Sequence, residues 1–79
     1  MSAREPHKQN LARIENYITE LKVRMLELQE RIQKQEAAGS NTEISHALFA
    51  VLVEHLEILE IRQRQAWKDI RAHQIIVNT

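Results

Sequence analysis

Glu43 and His46 are the residues in this sequence whose types and spacing come closest to a metal site. On a helix, Glu-x-x-His presents a carboxylate and an imidazole on one face, and di-iron four-helix bundles combine two such pairs with two further glutamates. The first helix would have to supply a glutamate at the same level, where its seam offers Ile32 and Gln35, with Glu36 beside them. Because Glu43 also stands at a predicted helix start, we interpret the pair as a capping glutamate and a surface histidine. A metal-binding four-helix bundle is kept as a second alternative function, and we predict no metal and no cofactor.

The remaining histidines point to no catalytic or metal site. No two histidines have the i, i+4 spacing of a helical metal clamp, and His7 stands near one end of the chain. His73 follows Asp69 by four residues, which suits a helix-surface ion pair. His55 lies beside an apolar stripe and is interpreted as an interface or half-buried residue rather than a metal ligand. The chain has no cysteine nucleophile, and a thin helical rod offers no concave pocket or oxyanion hole, so we predict a protein that is not an enzyme.

One basic cluster stands in the second half of the predicted second helix, with the only tryptophan inside it. With eleven basic and eleven acidic residues the formal net charge is zero, which argues against a general nucleic-acid or membrane-surface binder. Doubled in a dimer, the cluster could still contact RNA, DNA or an acidic protein. Because acidic residues are close in sequence, we favour a solvated or salt-bridged face. The candidate contact residues are Arg62, Arg64, Trp67, Lys68 and Arg71.

Two long helices must position all these groups. One glycine, one proline and three aromatic residues in 79 are typical of helices rather than sheet. Apolar residues in the first half alternate at three and four positions, the a/d pattern of coiled coils. This pattern predicts a first helix over about 6–38, with Pro6 in its first turn. The seam is Leu11, Ile14, Ile18, Leu21, Met25, Leu28 and Ile32.

A tight turn at 39–41 separates the helices. Gly39 suits the left-handed conformation that ends many helices. Ser40 and Glu43 match a capping box, with Asn41 and Thr42 as alternative caps. The second helix is predicted over about 41–74, followed by an apolar tail at 75–79 that either frays or docks on a neighbouring surface. Its seam is Ser45, Phe49, Leu52, Leu56, Leu59, Gln63, Ala66, Ile70 and His73.

The second helix carries more apolar residues than one seam can bury. Seven apolar residues in a row, 47–53, surround the helix, and the extra apolar positions are Ile44, Leu48, Val51, Val53, Ile58 and Ile61 on helix 2 with Val23 and Leu26 on helix 1. Exposing half a dozen of them would forfeit about 1.5–3 kcal/mol each, so we expect a second copy of the chain to cover them. The predicted dimer interface is Leu48, Val51, Leu52, His55, Ile58 and Leu59.

Charge along the second helix also favours self-association. Glutamates occupy its first half and basic residues its second half, which matches the helix macrodipole. The same order lets two copies pack antiparallel, acidic half on basic half. We therefore predict an all-α antiparallel helical hairpin that dimerises into a four-helix bundle, with a tetramer as the rival assembly. The predicted function is a non-enzymatic interaction or regulatory module whose partner is itself or another protein.

No part of the sequence has the length and composition of a membrane segment. The first ten residues are polar and lack the apolar core of a signal peptide, and the longest apolar run is far shorter than the ~20 residues that cross a bilayer. We expect a soluble, cytoplasmic protein without a membrane partner.

Over roughly 7–71 the sequence resembles short two-helix proteins of unknown function from soil and plant-associated proteobacteria. The matching segment is RIENYITELKVRMLELQERIQKQEAAGSNTEISHALFAVLVEHLEI, with Gly39 and Thr42 at the turn. The resemblance implies a hairpin in a bacterial protein and supplies no site residues. The predicted architecture is also similar to Rop-type dimeric RNA-binding hairpins, and a Rop-like nucleic-acid-binding dimer is the first alternative function. That likeness is at the level of fold alone.

Overall fold

The computed structural model describes residues 4–78, which form two helices that pack against each other as a hairpin. Helix α1 spans Arg4–Ala37 and helix α2 spans Glu43–Asn78. Pro6 lies in the first turn of α1, where its missing N–H falls among the donors that have no partner within the helix. The Cα atoms fill a rod of 63 × 17 × 12 Å.

The core is the single seam between the helices, and its positions are those expected from the a/d spacing. On both helices every predicted seam residue is buried or half-buried. Among the described residues none falls below 2% exposure, because a two-helix rod has no third element to close its sides. The buried apolar residues are Leu11, Ile14, Ile18, Leu21, Leu28, Ile32, Leu59, Ala66 and Ile70.

A Schellman motif ends α1. Gly39 has φ +72°, and its N–H donates to the carbonyl oxygen of Glu36 at 3.1 Å. The N–H of Ser40 reaches back to the carbonyl oxygen of Gln35 at 2.8 Å. These two bonds satisfy carbonyl groups that the helix end leaves without partners.

The cap of α2 differs from the predicted Ser40–Glu43 capping box. The N–H of Glu43 donates to Oδ1 of Asn41 at 2.9 Å, and the carbonyl of Thr42 accepts the first helical bond, from His46 N–H at 2.9 Å. Thr42 is therefore the N-cap residue of the backbone, and Asn41, one residue earlier, provides the capping side chain. Ser40 is too early for the role because its backbone belongs to the motif that ends α1.

The end of α2 also differs from the prediction. The helix continues to Asn78 instead of ending near residue 74, so residues 75–78 of the predicted apolar tail extend it, and Thr79 lies outside the described residues. The segment contains neither glycine nor proline, and β-branched residues lower helix propensity by only a fraction of a kcal/mol. The β-branched composition of this segment is therefore too weak a signal to end the helix.

Neither helix, over the residues described, is long and apolar enough to cross a membrane.

Candidate interaction surfaces and polar clusters

An apolar stripe on α2 stays uncovered by α1. We call it the exposed stripe, and it consists of Ile44, Leu48, Val51, His55 and Ile58. Each member stands one position before a seam residue, so the stripe repeats every three or four residues along one flank of the helix. Its aliphatic side chains are 47–86% exposed. This flank is apolar up to Ile58 and polar beyond it, from Arg62 onward.

Two residues of the predicted interface are also residues of the seam between α1 and α2. Leu59 is only 4% exposed, and Leu52 is half-buried against the core. Both are seam positions, so α1 already covers most of their surface. The interface residues left with substantial free surface are Leu48, Val51, His55 and Ile58.

The edge of α1 that borders the exposed stripe is charged. A shallow groove near the turn is lined by Arg24, Glu27 and Arg31 from α1 and by Leu48 and Leu52 from α2. Further along, His55 lies in a groove with Tyr17, Glu20, Arg24 and Arg62. A second chain seated on the stripe would therefore meet a row of charges beside it.

The opposite side of the hairpin carries a smaller apolar groove, lined by Lys22, Met25, Leu26, Gln29 and Phe49. Leu26 is exposed and Phe49 is half-buried. Elsewhere on the surface, Val23 and Ile61 are exposed and Val53 is half-buried. The apolar residues outside the seam are thus spread over several faces of the rod, with the longest row on the side of the exposed stripe.

The predicted basic cluster does not form one patch. Residues at positions 64, 67, 68 and 71 share one side of α2 by helical spacing, and all four side chains are exposed. Arg62 lies on the other flank, in a groove with Asn10, Arg13 and Asp69. Trp67, at 46% exposure, stands at the edge of the hairpin beside the three clustered basic residues.

Polar contacts join the two helices next to the turn. Ser45 is 9% exposed, and its hydroxyl donates to Oε1 of Gln35 at 2.8 Å. One residue further on, Nε2 of His46 lies 3.5 Å from Oε1 of Glu36, with both side chains 57% exposed. His46 is therefore paired across the hairpin with Glu36. Within the described part of the chain no cluster of three or more histidine, cysteine, aspartate or glutamate side chains that could hold a metal ion is found, here or elsewhere.

Two histidines meet at the open end of the hairpin, far from the turn, although spacing within each helix did not predict their contact. The rings of His7 and His73 lie 6.2 Å apart, centre to centre. Asp69, the predicted partner of His73, accepts a hydrogen bond from Nε2 of Gln65 at 2.9 Å. His73 is the last residue of the predicted seam of α2, and His7 lies four residues before Leu11, the first residue of the seam of α1. Extending the seam of α1 by one step would have suggested the pair.

In comparisons with known proteins, no family model, no curated protein and no solved structure matches the chain. The resemblance to proteobacterial two-helix proteins therefore stays a prediction.

Proposed function

We propose that this protein is a non-enzymatic interaction module that self-associates through the exposed stripe into a dimeric, antiparallel four-helix bundle. The observation that supports the proposal is the row of four large aliphatic side chains, 47–86% exposed, along one flank of α2. The row runs from Ile44 to Ile58, about 20 Å of helix. Isolated surface leucines are ordinary, but a continuous apolar row of this length is typical of a surface that another chain covers.

The size of the stripe sets the expected strength of the contact. Burial contributes about 1.5–3 kcal/mol for a large aliphatic side chain that starts fully exposed. A symmetric dimer buries eight such side chains that start about half exposed, so it gains roughly 6–12 kcal/mol. Association costs an estimated ~4–15 kcal/mol in lost freedom of motion. At the favourable ends of both ranges the net gain is about 8 kcal/mol, which corresponds to a Kd of about 1 µM, the tightest affinity that the stripe alone supports.

The spacing of the stripe makes it complementary to itself. Val51 lies midway between Ile44 and Ile58. A twofold axis at Val51, perpendicular to the rod, therefore brings Ile44 of one copy opposite Ile58 of the other and Val51 opposite itself. The two α2 helices then run antiparallel, apolar row on apolar row.

Charges on α1 support the same axis. The contacts between Gln35 and Ser45 and between His7 and His73 show which residues are level across the hairpin, and they place residue 29 of α1 level with Val51. An axis at this level brings Glu27 of one copy opposite Arg31 of the other, twice per dimer. Both side chains are exposed and border the groove next to Leu48. The charged pair nearest the axis is therefore opposite in sign.

A dimer in which the acidic half of each α2 packs on the basic half of the other requires a different twofold axis. Matching Glu54 with Lys68 and Glu60 with Arg62 moves the axis by about ten residues along α2, to the region of 61–62. In that register the exposed stripe of each copy faces the polar half of the partner. We place the axis at Val51 because exposed ion pairs contribute only about 0–1 kcal/mol each. This is less than the free energy lost when the other register leaves the apolar side chains of the stripe exposed.

Single cysteines distinguish the two registers, because the chain has none of its own. Residues on a twofold axis meet their own copies, and a disulfide needs Cα atoms about 4.4–6.8 Å apart. We expect Val51→Cys to form a disulfide-linked dimer on mild oxidation and Arg62→Cys, on the same flank, to remain largely unlinked. Efficient linking of Arg62→Cys alone would establish the acidic-on-basic register instead.

Sedimentation tests self-association itself. We expect the chain to be dimeric at about 100 µM, given micromolar affinity, and Val51→Glu to be a folded monomer, because each glutamate would lie in the apolar contact. The control Lys68→Glu makes a larger charge change away from the stripe and should stay dimeric. A folded monomer at this concentration, without cross-linking of either cysteine variant, would overturn the proposal. If the natural sequence forms a tetramer and Leu26→Glu reduces it to a dimer, the smaller apolar groove is a second contact between copies.

A Rop-like nucleic-acid contact is the second candidate, favoured by the exposed side of α2 that carries Arg64, Trp67, Lys68 and Arg71. If RNA or DNA binds there, binding must weaken as salt rises, because phosphate contacts release counterions. Arg64→Glu should remove such binding, whereas Arg13→Glu, on the other side of the rod, should not. Binding that is indifferent to salt or to Arg64→Glu would exclude this surface as a nucleic-acid site.

A further inference from the structure

The open end of the hairpin holds two imidazoles that the proposed self-association does not use. His7 lies within α1 and His73 within α2, and both side chains are half-buried. Their ring centres are 6.2 Å apart and their planes are inclined by 44°. Both residues continue the seam, so the packing of the two helices sets the distance between them.

This distance is close to that of two imidazoles sharing one metal ion. Zn–N bonds are about 2.0–2.1 Å long, which places two coordinated imidazole rings roughly 5–6 Å apart between their centres. A rotation of the two side chains that closes the gap by less than about 1 Å would complete the geometry. Imidazole nitrogen suits zinc, nickel and copper, whereas magnesium and calcium prefer oxygen ligands.

We propose that His7 and His73 form a two-histidine site for a divalent transition-metal ion such as Zn²⁺, which clasps the open end of the hairpin. Both nitrogen ligands come from one chain, so the site is complete without a second copy. No third histidine, aspartate, glutamate or cysteine joins the pair among the described residues, which leaves the other coordination positions to water. The ion connects the start of α1 to the end of α2, the two segments of the hairpin farthest from the turn.

Binding to the folded hairpin raises its stability by mass action. At a free zinc concentration about one hundred times the Kd, the folding equilibrium constant rises about 100-fold if the unfolded chain does not bind. The two histidines are 66 positions apart in sequence, so the unfolded chain rarely holds them together.

The test is thermal unfolding of the full chain in EDTA and in increasing zinc chloride, followed by circular dichroism. We expect zinc to raise the unfolding midpoint of the natural sequence, and calcium chloride to leave it unchanged. His7→Gln and His73→Gln should each lose the zinc shift while keeping the helical spectrum in EDTA. His46→Gln and His55→Gln, matched changes elsewhere in the hairpin, should retain it.

Three results would overturn the shared site. The first is an unfolding midpoint of the natural sequence that does not change at millimolar zinc. The others are a zinc shift in His7→Gln and His73→Gln equal to that of the natural sequence, or loss of the shift in only one of these two variants. The monomer expected from Val51→Glu should respond to zinc like the natural sequence, with one ion per chain by calorimetric titration. A zinc effect confined to dimeric protein would show a site between chains and overturn the intramolecular pair.

Discussion

The two halves of the hairpin bury their apolar residues to different extents. Toward the open end, Leu11, Ile14, Ile18 and Leu21 pack with Leu59, Ala66 and Ile70 in one continuous buried cluster. Toward the turn, α1 still contributes the buried residues Leu28 and Ile32, but the facing Phe49, Leu52 and Leu56 of α2 are only half-buried. The exposed stripe runs along this same half. The half near the turn is thus the half whose apolar surface α1 alone does not cover.

The half near the turn compensates with polar and backbone contacts. It contains the Schellman motif at Gly39, the Asn41 cap and the cross-helix bond of Ser45 to Gln35. These contacts define the geometry of the hairpin without much apolar burial. We infer that the open half contributes most of the stability of the single chain. The half near the turn presents the surface for the proposed second copy. Four substitutions test that division: the largest loss is expected in the open half, and each change in the half near the turn should cost less.

The largest effect is expected in the open half. Leu59→Ala removes a side chain that is 4% exposed and should lower the free energy of unfolding by about 2–5 kcal/mol, the usual range for a buried leucine. Such a loss is a large part of a small domain's stability, so the helical signal should fall sharply. The measurement is urea unfolding followed by circular dichroism, at a protein concentration low enough to keep the chain monomeric.

Leu48→Ala provides the contrast in the other half. Leu48 is 47% exposed, so at the same low concentration its removal should change the stability by about 0.5 kcal/mol or less. At high concentration the same variant should lose more, because the dimer loses two contacts. Equal losses for Leu59→Ala and Leu48→Ala in the monomer would break the comparison between the halves.

An intermediate effect is expected at the turn. Gly39 has φ +72°, and a Cβ added there would meet no heavy atom within 4 Å. Gly39→Ala therefore adds backbone strain without a clash, and should lower the free energy of unfolding by about 1–2 kcal/mol. Gly39→Asn should lose less, because asparagine adopts this conformation more readily. Equal losses in the two variants, again by urea unfolding, would show that the left-handed backbone is not the cause.

The features that the sequence predicted are those with a local period. The seam and the exposed stripe follow from three-and-four spacing along one helix, so Leu21, Ala66 and Val51 lie where they were expected. Spacing alone could not show how much of Leu52 and Leu59 is left for a second chain, because this depends on how much of their surface α1 covers. The hairpin itself followed from Gly39 and the polar residues around it.

The predictions fail where a residue's contacts depend on a second motif or on the other helix. Ser40 matched a capping box, but its backbone is used by the end of α1, and no spacing rule within the capping motif detects that conflict. His7 and His73 meet across 66 positions of sequence, so no within-helix pattern connects them. Their contact follows only when the level of one helix against the other is known.

At the polar contact beside the turn we expect an effect smaller than that of Gly39→Ala and larger than that of Leu48→Ala in the monomer. Ser45→Ala removes the hydroxyl that donates to Oε1 of Gln35 at 2.8 Å, in a position that is 9% exposed. We expect a loss of about 0.5–1.5 kcal/mol, because the amide oxygen of Gln35 is left with less solvent and no donor from α2. The double variant Ser45→Ala, Gln35→Leu should recover most of it, since replacing both partners by apolar groups is often nearly neutral. A double variant less stable than Ser45→Ala alone, in the same urea titration, would show that Gln35 stabilises the turn through contacts other than Ser45. If the recovery is complete, the polar pair sets the geometry of the helices beside the turn without adding net stability.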